Sequence, residues 1–317
     1  MMDKLYNDII NGKRIGYTEA IDITQKQNCE AICVLANKLR IYFFGNHFEL
    51  CSIVNAKSGK CTEDCKWCAQ SVHYKTNISS YEIISKESAV TQAINNQKKG
   101  VHRFSLVTSG RKINEKNLGD ILEIYKDISD RSEIHLCASM GLLSNNQLIE
   151  LKKAGVEYYH CNLETARSFF SELCTTHTYK EKINTIKLAQ EIGFSVCSGG
   201  ILGMGETMDQ RIELALELRS LNVKSIPLNF LMPIKGTPLA FSENMPDEEI
   251  LISLAIFKII NPEAKIRFAG GRHLIKHLQI KALRAGVNAA LVGDLLTTIG
   301  SNIEEDIRDI STEGFKL

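Results

Sequence analysis

Ten of the 317 residues are cysteines, and three of these lie close together. Cys61, Cys65 and Cys68 form a CxxxCxxC triplet in the segment after the first predicted strand. Three thiolates at this spacing can hold three corners of an iron–sulfur cubane and leave the fourth iron open to a small molecule. Structural zinc is the alternative, but zinc usually takes four ligands from pairs of residues. The triplet therefore predicts a 4Fe–4S cluster with one open iron.

The role of the remaining cysteines depends on where the fold places them. Disulfides are disfavoured in a reducing compartment, and a chain of this length does not need them to fold. Cys29 and Cys33 lie four residues apart on one face of a predicted helix, which is typical of thiols that pack as small hydrophobic groups. Cys51 is predicted to be structural too, or to lie beside a ligand set without belonging to it.

The overall composition excludes several classes of function. Lys plus Arg number 38 and Asp plus Glu number 37, so the formal net charge of +1 gives no sign of a nucleic-acid or anionic-membrane partner. The first residues lack the apolar region of a signal peptide, and no apolar run approaches the roughly 20 residues that a membrane helix needs. The sequence therefore predicts a cytoplasmic, soluble protein with no nucleic acid and no membrane among its partners.

Short strand-like runs alternate with helical stretches along most of the chain. Capping residues and glycines mark helix ends, as at Ser144 before a helix over 145–154 and at Gly193 after a helix over 179–192. Further helices are predicted over 88–99, from 246 onward and over 273–285. The strands are predicted over 50–55, 103–107, 134–138, 158–163, 194–198, 225–231, 265–269 and 289–292.

Eight predicted strands that alternate with helices favour a parallel α/β architecture, and a (β/α)8 TIM-type barrel is its simplest closure. A doubly wound open sheet is the alternative. The chain contains no Gly/Ser/Pro-rich linker. We therefore predict an N-terminal helical extension over 1–44 and one barrel domain over 45–317. The cysteine triplet would then lie at the C-terminal face of the barrel, where such folds build their active sites.

Several segments of the chain resemble one known family. The triplet, with Trp67 directly before its third cysteine, resembles the radical S-adenosylmethionine superfamily, and the longer segment 55–76 resembles the biotin synthases within it. The resemblance recurs in the same order at later positions and spans roughly residues 45 to 300; these segments are 158–165, 196–206, 227–229, 235–239 and 266–272. It implies a radical enzyme that inserts sulfur into dethiobiotin to form biotin.

The resemblance also implies binding roles at the mouth of the barrel. In that family the position of Trp67 lies against the adenine of S-adenosylmethionine, and Asn162 and Glu164 fall where the ribose and the ureido group of the substrate bind. Glu164 replaces the usual aspartate and keeps the carboxylate. Ile201, in a glycine-rich turn, is expected beside the nucleoside. Asn229 matches a substrate-binding asparagine, although a core asparagine bonded to the backbone is the alternative. No residue is predicted to be catalytic beyond the cofactors.

A second cluster is implied deeper in the barrel. The family usually holds a 2Fe–2S cluster there as the source of sulfur, with three cysteines and an arginine as ligands. These positions fall on Ser105, Cys137, Cys197 and Arg267 of this chain. One expected thiolate is therefore replaced by serine, which is a poor ligand for iron–sulfur clusters.

Another cysteine is predicted to replace the missing ligand. Cys161 stands where the family usually has histidine, and together with Cys137 and Cys197 it would line one wall of the barrel, with neighbouring strands about 4.8 Å apart. Arg267 would approach from across the lumen, and Cys174 either completes the site or lies near it. Ordinary buried cysteines are the alternative. We predict a second cluster, of 4Fe–4S type, with an open iron able to carry an extra sulfide.

The implied reaction also defines partners and competing hypotheses. Dethiobiotin would be the substrate, a flavodoxin or ferredoxin-type protein the reductant, and a homodimer the assembly. The main alternative is a related radical enzyme that uses only the first cluster, such as a methylornithine synthase or a hydrogenase-maturation enzyme. A non-enzymatic iron–sulfur carrier is the last alternative, and it would not cleave S-adenosylmethionine.

Overall fold

The computed structural model describes residues 2–293 and 301–317. The N-terminal segment folds into three helices, α1 (Met2–Ile10), α2 (Tyr17–Lys26) and α3 (Cys29–Phe44). The side chain of Asn28 caps α3 by accepting a hydrogen bond from the N–H of Ala31 at 2.8 Å. The same helix packs against the later helix over Asp247–Ile260. The segment therefore lies against the outer helical layer, and the predicted domain boundary at residue 44 stays a prediction.

In the described part of the chain, nine parallel strands form a closed ring. These are β1 (Glu49–Lys57), β2 (Arg103–Thr108), β3 (His135–Ser139), β4 (Tyr158–His160), β5 (Ser195–Cys197), β6 (Gly200–Leu202), β7 (Ser225–Phe230), β8 (Lys265–Phe268) and β9 (Ala289–Leu291). β1 pairs with both β2 and β9, and pairing of β5 with β7 closes the ring. β6 also pairs with β7, so β5 and β6 are two halves of one barrel strand. The predicted (β/α)8 barrel is confirmed.

Helices surround this ring on the outside. They are α4 (Lys86–Lys98), α5 (Glu115–Arg131), α6 (Asn145–Lys153), α7 (Arg167–Leu173), α8 (Tyr179–Glu191), α9 (Met208–Ser220), α10 (Asp247–Ile260), α11 (Gln279–Leu283) and α12 (Ile303–Thr312). Ser144 is the N-cap of α6, as predicted, and three acidic residues occupy the first turn of α10, where they favour the helix dipole. No helix within the described ranges is both long enough and apolar enough to cross a bilayer.

The helix predicted over 273–285 differs from the structure. A 3-10 helix (Arg272–Leu278) is followed there by α11, with a break in helical geometry at Ile275. The guanidinium of Arg272 donates to the carbonyl oxygen of Leu291 at 2.9 Å and to the Asp306 carboxylate at 2.7 Å. These contacts tie the start of the segment to β9 and α12, which accounts for the departure from one regular helix.

The strand predicted over 158–163 is also shorter than expected. β4 ends at His160, and the chain beyond it reaches Glu164 with a left-handed φ of 73°. The side-chain oxygen of Asn162 takes the N–H of Gly199 at 2.9 Å. A side chain therefore replaces a regular ladder bond here, and the strand bends where its residues face the mouth of the barrel.

The junction of β5 and β6 leaves no room for a side chain. A Cβ added at Gly199 would lie 1.9 Å from the carbonyl oxygen of Pro227. We expect Gly199→Ala to lower the free energy of unfolding by about 3 kcal/mol, because backbone atoms would have to move. Gly119→Ala in α5 is the control, since a Cβ there meets nothing within 4 Å and alanine favours helices. Urea unfolding measures both variants, and equal stabilities would contradict the prediction.

Candidate active site

A cavity of about 450 Å³ occupies the barrel lumen. Side chains of a strand alternate between the two faces of a sheet, so every second strand residue points into this space. Two groups of cysteines line the cavity. One lies in the loop after β1 and the other on the strands themselves, and they are Cys61, Cys65 and Cys68, and Cys51, Cys137 and Cys197.

The first group is held by a loop that folds back on itself. The N–H of Cys61 donates to the carbonyl oxygen of Gln70, and the N–H of Cys68 to that of Cys65, each at 3.0 Å. The N–H of Gly59 donates to the side-chain oxygen of Gln70 at 2.9 Å. These bonds hold the loop in place, and all three of its cysteines line the cavity; their role as cluster ligands stays a prediction.

The surroundings of the first group keep its thiols neutral when no metal is bound. Burial and the neighbouring Cys61 raise the pKa of Cys68 to about 11. A hydrogen bond to Cys174, together with burial, raises the pKa of Cys65. Metal ions supply the positive charge that reverses this preference and stabilises thiolates. Three thiols in one loop, with no fourth cysteine in the motif, fit a three-thiolate iron–sulfur cluster.

Cys174 lies beside the first group, where it joins two loops. Its sulfur is 3.7 Å from that of Cys65 and 3.3 Å from Nδ1 of His177. The same His177 nitrogen lies 2.6 Å from the carboxylate of Glu63, inside the cysteine loop. Cys174 therefore belongs to the support of the first thiol group, and the structure does not place it with the deeper cysteines.

An apolar patch lies next to the triplet. Trp67 and Ile201 pack against a small buried cluster formed by Leu173, Met204 and Leu231. An aromatic ring and aliphatic groups at one place suit a flat, partly apolar ligand such as a nucleobase. The structure thus brings together the two residues predicted to contact the nucleoside, and their binding role stays a prediction.

A polar network forms the wall beside this patch. Asn162 accepts a hydrogen bond at 2.8 Å from Nε2 of His160, whose Nδ1 lies 3.1 Å from the hydroxyl of Ser139. Burial lowers the pKa of His160 to about 4, so this ring is neutral at pH 7. The Asn162 amide nitrogen donates to Glu164 at 3.3 Å. The two residues predicted to bind ribose and substrate are therefore adjacent and oriented by each other.

Lys182 supports this network from outside the barrel. Its ammonium group donates to the carbonyl oxygen of Asn162 at 2.9 Å and lies 3.8 Å from the Glu164 carboxylate. Burial lowers the pKa of Lys182, but the charge of Glu164 and the nearby thiols outweigh this and raise it. Lys182 therefore remains charged and counterbalances Glu164.

Asn229 lies in the cavity wall with its amide already bonded to the backbone. Its nitrogen donates to the carbonyl oxygen of Gly200 at 3.0 Å, and its oxygen accepts from the N–H of Gly270 at 2.8 Å. Each amide atom retains one further hydrogen-bonding position. The side chain therefore ties β6 and β7 to the turn after β8, and its predicted contact with substrate stays a prediction.

The second group of cysteines lies closer to the N-terminal ends of the strands. Cys51 and Cys137 both line the cavity, from the strands on either side of β2, and the sulfur of Cys197 is 3.7 Å from Nη1 of Arg103. Ser105, at the position of the missing family ligand, pairs in register with Cys137. The deep site is therefore rich in thiols although Ser105 contributes none.

Charged groups surround these thiols. Glu49 accepts hydrogen bonds from Arg103 at 2.6 Å, from Lys265 at 2.5 Å, and from Arg267. Burial raises the pKa of Glu49, but Arg267, Arg103 and Lys265 outweigh it and bring the pKa to about 2. Three cations thus meet one carboxylate, and the excess positive charge favours anionic ligands such as thiolates and sulfide. The donor set fits an iron–sulfur cluster.

Cys161 also lines the cavity, but among the described residues no contact joins its sulfur to the thiols of the second group. His160 and Asn162 are hydrogen-bonded to each other in the lumen, and Cys161 between them is buried in the irregular segment that follows β4. Cys161 belongs to the hydrophobic core, and its charged neighbours are Lys182 and Glu164. The predicted wall of Cys137, Cys161 and Cys197 therefore stays a prediction, and the contacts of Cys161 favour a place in the hydrophobic core.

The sequence interpretation missed several residues of the site. Cys51 and Arg103 point into the lumen, as Ser105 does. The alternation of inward and outward residues along β1 and β2 is the signal that would have identified them. Lys182 gave no such signal, because it lies on an outer helix in an ordinary charged sequence. His177 likewise depends on a loop contact between distant segments.

Two family models match this chain. The Radical SAM superfamily matches residues 56–218, and the Biotin and Thiamin Synthesis associated domain matches residues 227–316. Barrel, cysteine loop and family match together define a radical S-adenosylmethionine protein. The biotin synthase of Parabacteroides distasonis is 48% identical over 310 residues, covering 98% of this chain and 95% of the relative. That of Clostridium tetani is 49% identical, covering 99% and 97%. The chain belongs to the biotin synthase family.

Solved structures with the same fold are more distant in sequence. A methylornithine synthase superposes with a TM-score of 0.83 at 18% identity, covering 98% of this chain and 96% of that one. The FeFe-hydrogenase maturase of Carboxydothermus hydrogenoformans also gives 0.83 at 18% identity, covering 99% and 78%. These similarities establish the shared fold alone.

The triplet generates a prediction for iron content. We expect Cys68→Ala to lose about four irons per chain after anaerobic reconstitution, because two thiolates cannot retain the cluster. Cys33→Ala in α3 should retain them, since that thiol lies 3.9 Å from Cys29 and outside the cavity. Iron and labile sulfide analysis of purified protein measures both. Unchanged iron in Cys68→Ala would refute the assignment.

The charge cluster around Glu49 generates a prediction for acid stability. A carboxyl group with a folded pKa of about 2 stabilises the fold above its ordinary pKa of 4.5, and this stability is lost as the pH falls towards 2. Between pH 5 and pH 3, the metal-free wild type should lose about 2 kcal/mol more unfolding free energy than Glu49→Gln. Urea unfolding at both pH values measures the difference. Equal losses would contradict the prediction.

Proposed function

We propose that this chain inserts sulfur into dethiobiotin to form biotin, with S-adenosylmethionine as the radical source and two iron–sulfur clusters. Membership of the biotin synthase family supports the reaction. The observation that carries the proposal is one cavity lined by two separate groups of three cysteines. An enzyme that used only the first cluster would not need the deep group of thiols and guanidinium groups.

The two sites divide the chemistry between them. When bound, the first cluster supplies the electron that cleaves S-adenosylmethionine to a radical, and the second supplies the sulfur. The chain's own residues bind and orient the reactants. Trp67 and Ile201 offer an apolar surface for the adenine, while Asn162 and Glu164 offer hydrogen bonds to ribose and substrate. The enclosing barrel excludes water from the reactants.

We propose that the second cluster is of the 4Fe–4S type instead of the usual 2Fe–2S type. Ser105 removes one thiolate of the usual ligand set, which argues against an unchanged site. Three other thiols remain around the lumen, and a three-thiolate cubane has an open iron able to carry an extra sulfide. Arg103 and Arg267 supply positive charge beside it.

Several further features follow from the family resemblance and the sequence. The chain works in the cytoplasm as a homodimer and takes electrons from a flavodoxin or ferredoxin-type reductant. It consists of a helical extension over 1–44 and a barrel domain over 45–317. Size-exclusion chromatography with light scattering tests the homodimer. Removal of residues 1–44 tests the domain boundary, because a barrel over 45–317 that is a separate domain should still fold.

Product analysis tests the proposed reaction directly. Anaerobically reconstituted protein with dethiobiotin, S-adenosylmethionine and reductant should yield biotin, with two 5′-deoxyadenosine molecules per turnover because two C–H bonds are broken. Liquid chromatography with mass spectrometry measures both products. 5′-Deoxyadenosine without biotin or a thiolated intermediate would favour an enzyme of the single-cluster class. Absence of both products would favour a carrier.

A further inference from the structure

We propose that Cys51 is the third thiolate ligand of the second cluster, together with Cys137 and Cys197, and that Arg103 is a cationic partner of that cluster. The inference rests on the proposed function, because it assumes that a second cluster exists. It replaces Cys161 with a residue that the sequence interpretation had assigned to packing.

Strand register places the three thiols around one space. Cys51 on β1 pairs with Arg103 on β2, and Cys137 on β3 pairs with Ser105 on β2. Paired residues in parallel strands face the same side, and all four line the cavity. Cys51 and Cys137 therefore line one space from the two strands that flank β2. Cys197 on β5 completes the group, since it lines the same cavity and its sulfur is 3.7 Å from Nη1 of Arg103.

The missing ligand and its substitute lie on adjacent strands. Ser105 pairs with Ile53, which is two residues from Cys51 on the same inward face of β1. Compared with a thiolate at position 105, a thiolate at position 51 lies on the adjacent strand, two residues before the position that pairs with Ser105. Such a shift keeps the ligand at the N-terminal end of the lumen, whereas Cys161 follows the end of β4 and has Lys182 and Glu164 as its charged neighbours.

Arg103 gives independent evidence that an anionic group belongs in this space. Its side chain is 5% exposed and is held by Glu49 at 2.6 Å and by the ring of Tyr158, whose centroid is 3.6 Å from Cζ. Nη1 lies 3.7 Å from the Cys197 sulfur, and Nε has no hydrogen-bond partner among the described residues. A buried guanidinium donor without a partner is costly, and an anionic sulfur ligand would satisfy it.

Iron analysis in a chain that lacks the first cluster tests the inference. In a background with Cys61, Cys65 and Cys68 changed to alanine, all cluster iron belongs to the second site. We expect about four irons per chain and a Mössbauer signal of a cubane after anaerobic reconstitution. Adding Cys51→Ala should abolish both, and adding Cys161→Ala should leave both in place.

The same variants in the otherwise wild-type chain control for folding. Wild type should hold about eight irons, Cys51→Ala and Cys51→Ser about four, and Cys161→Ala about eight. The retained first cluster then shows that the Cys51 variants are folded. A second cluster retained in both Cys51 variants would overturn this inference alone. Iron confined to the first cluster in wild type would overturn both this inference and the proposed two-cluster function.

Discussion

One carboxylate at the start of β1 joins the strands at the N-terminal end of the barrel, which forms the floor of the lumen. Glu49 accepts hydrogen bonds from Arg103 on β2 and from Lys265 and Arg267 on β8, so it joins the first strand to strands on both sides. Without it, two guanidinium groups would be buried with no protein counter-charge, which typically costs several kcal/mol. Because three cations share one anion, the floor stays positive. That charge makes the lumen suitable for thiolates and sulfide, and it determines what the deep site can hold.

The first site could be predicted from sequence because its ligands are local. Cys61, Cys65 and Cys68 lie within eight residues, and the loop that carries them needs no distant contact to be recognised. The barrel could be predicted for a related reason, since alternating strands and helices have few ways to close. The deep site depends on contacts between strands far apart in the chain. Whether Cys51 meets Cys137 is decided by register and shear, which the sequence does not state.

The ligand role predicted for Cys161 is opposed by a rule that the sequence already contained. Asn162 was predicted to face the cavity, and a residue next to an inward-facing position on a strand points the other way. The family position of Cys161, normally histidine, obscured this alternation. The structure places His160 in the lumen instead, bonded to Asn162. Periodicity along the chain therefore argues against the ligand role that the substitution suggested.

The wall of the cavity is supported by one lysine of an outer helix, whose side chain reaches the cavity lining. Lys182 on α8 reaches the backbone of Asn162 and the carboxylate of Glu164, both of which face reactants in the proposed function. From its sequence α8 is an ordinary amphipathic helix, and redesign of its surface would treat this lysine as replaceable. Lys182 should be kept in such a redesign, because its replacement would remove the positive charge that balances Glu164 inside the barrel.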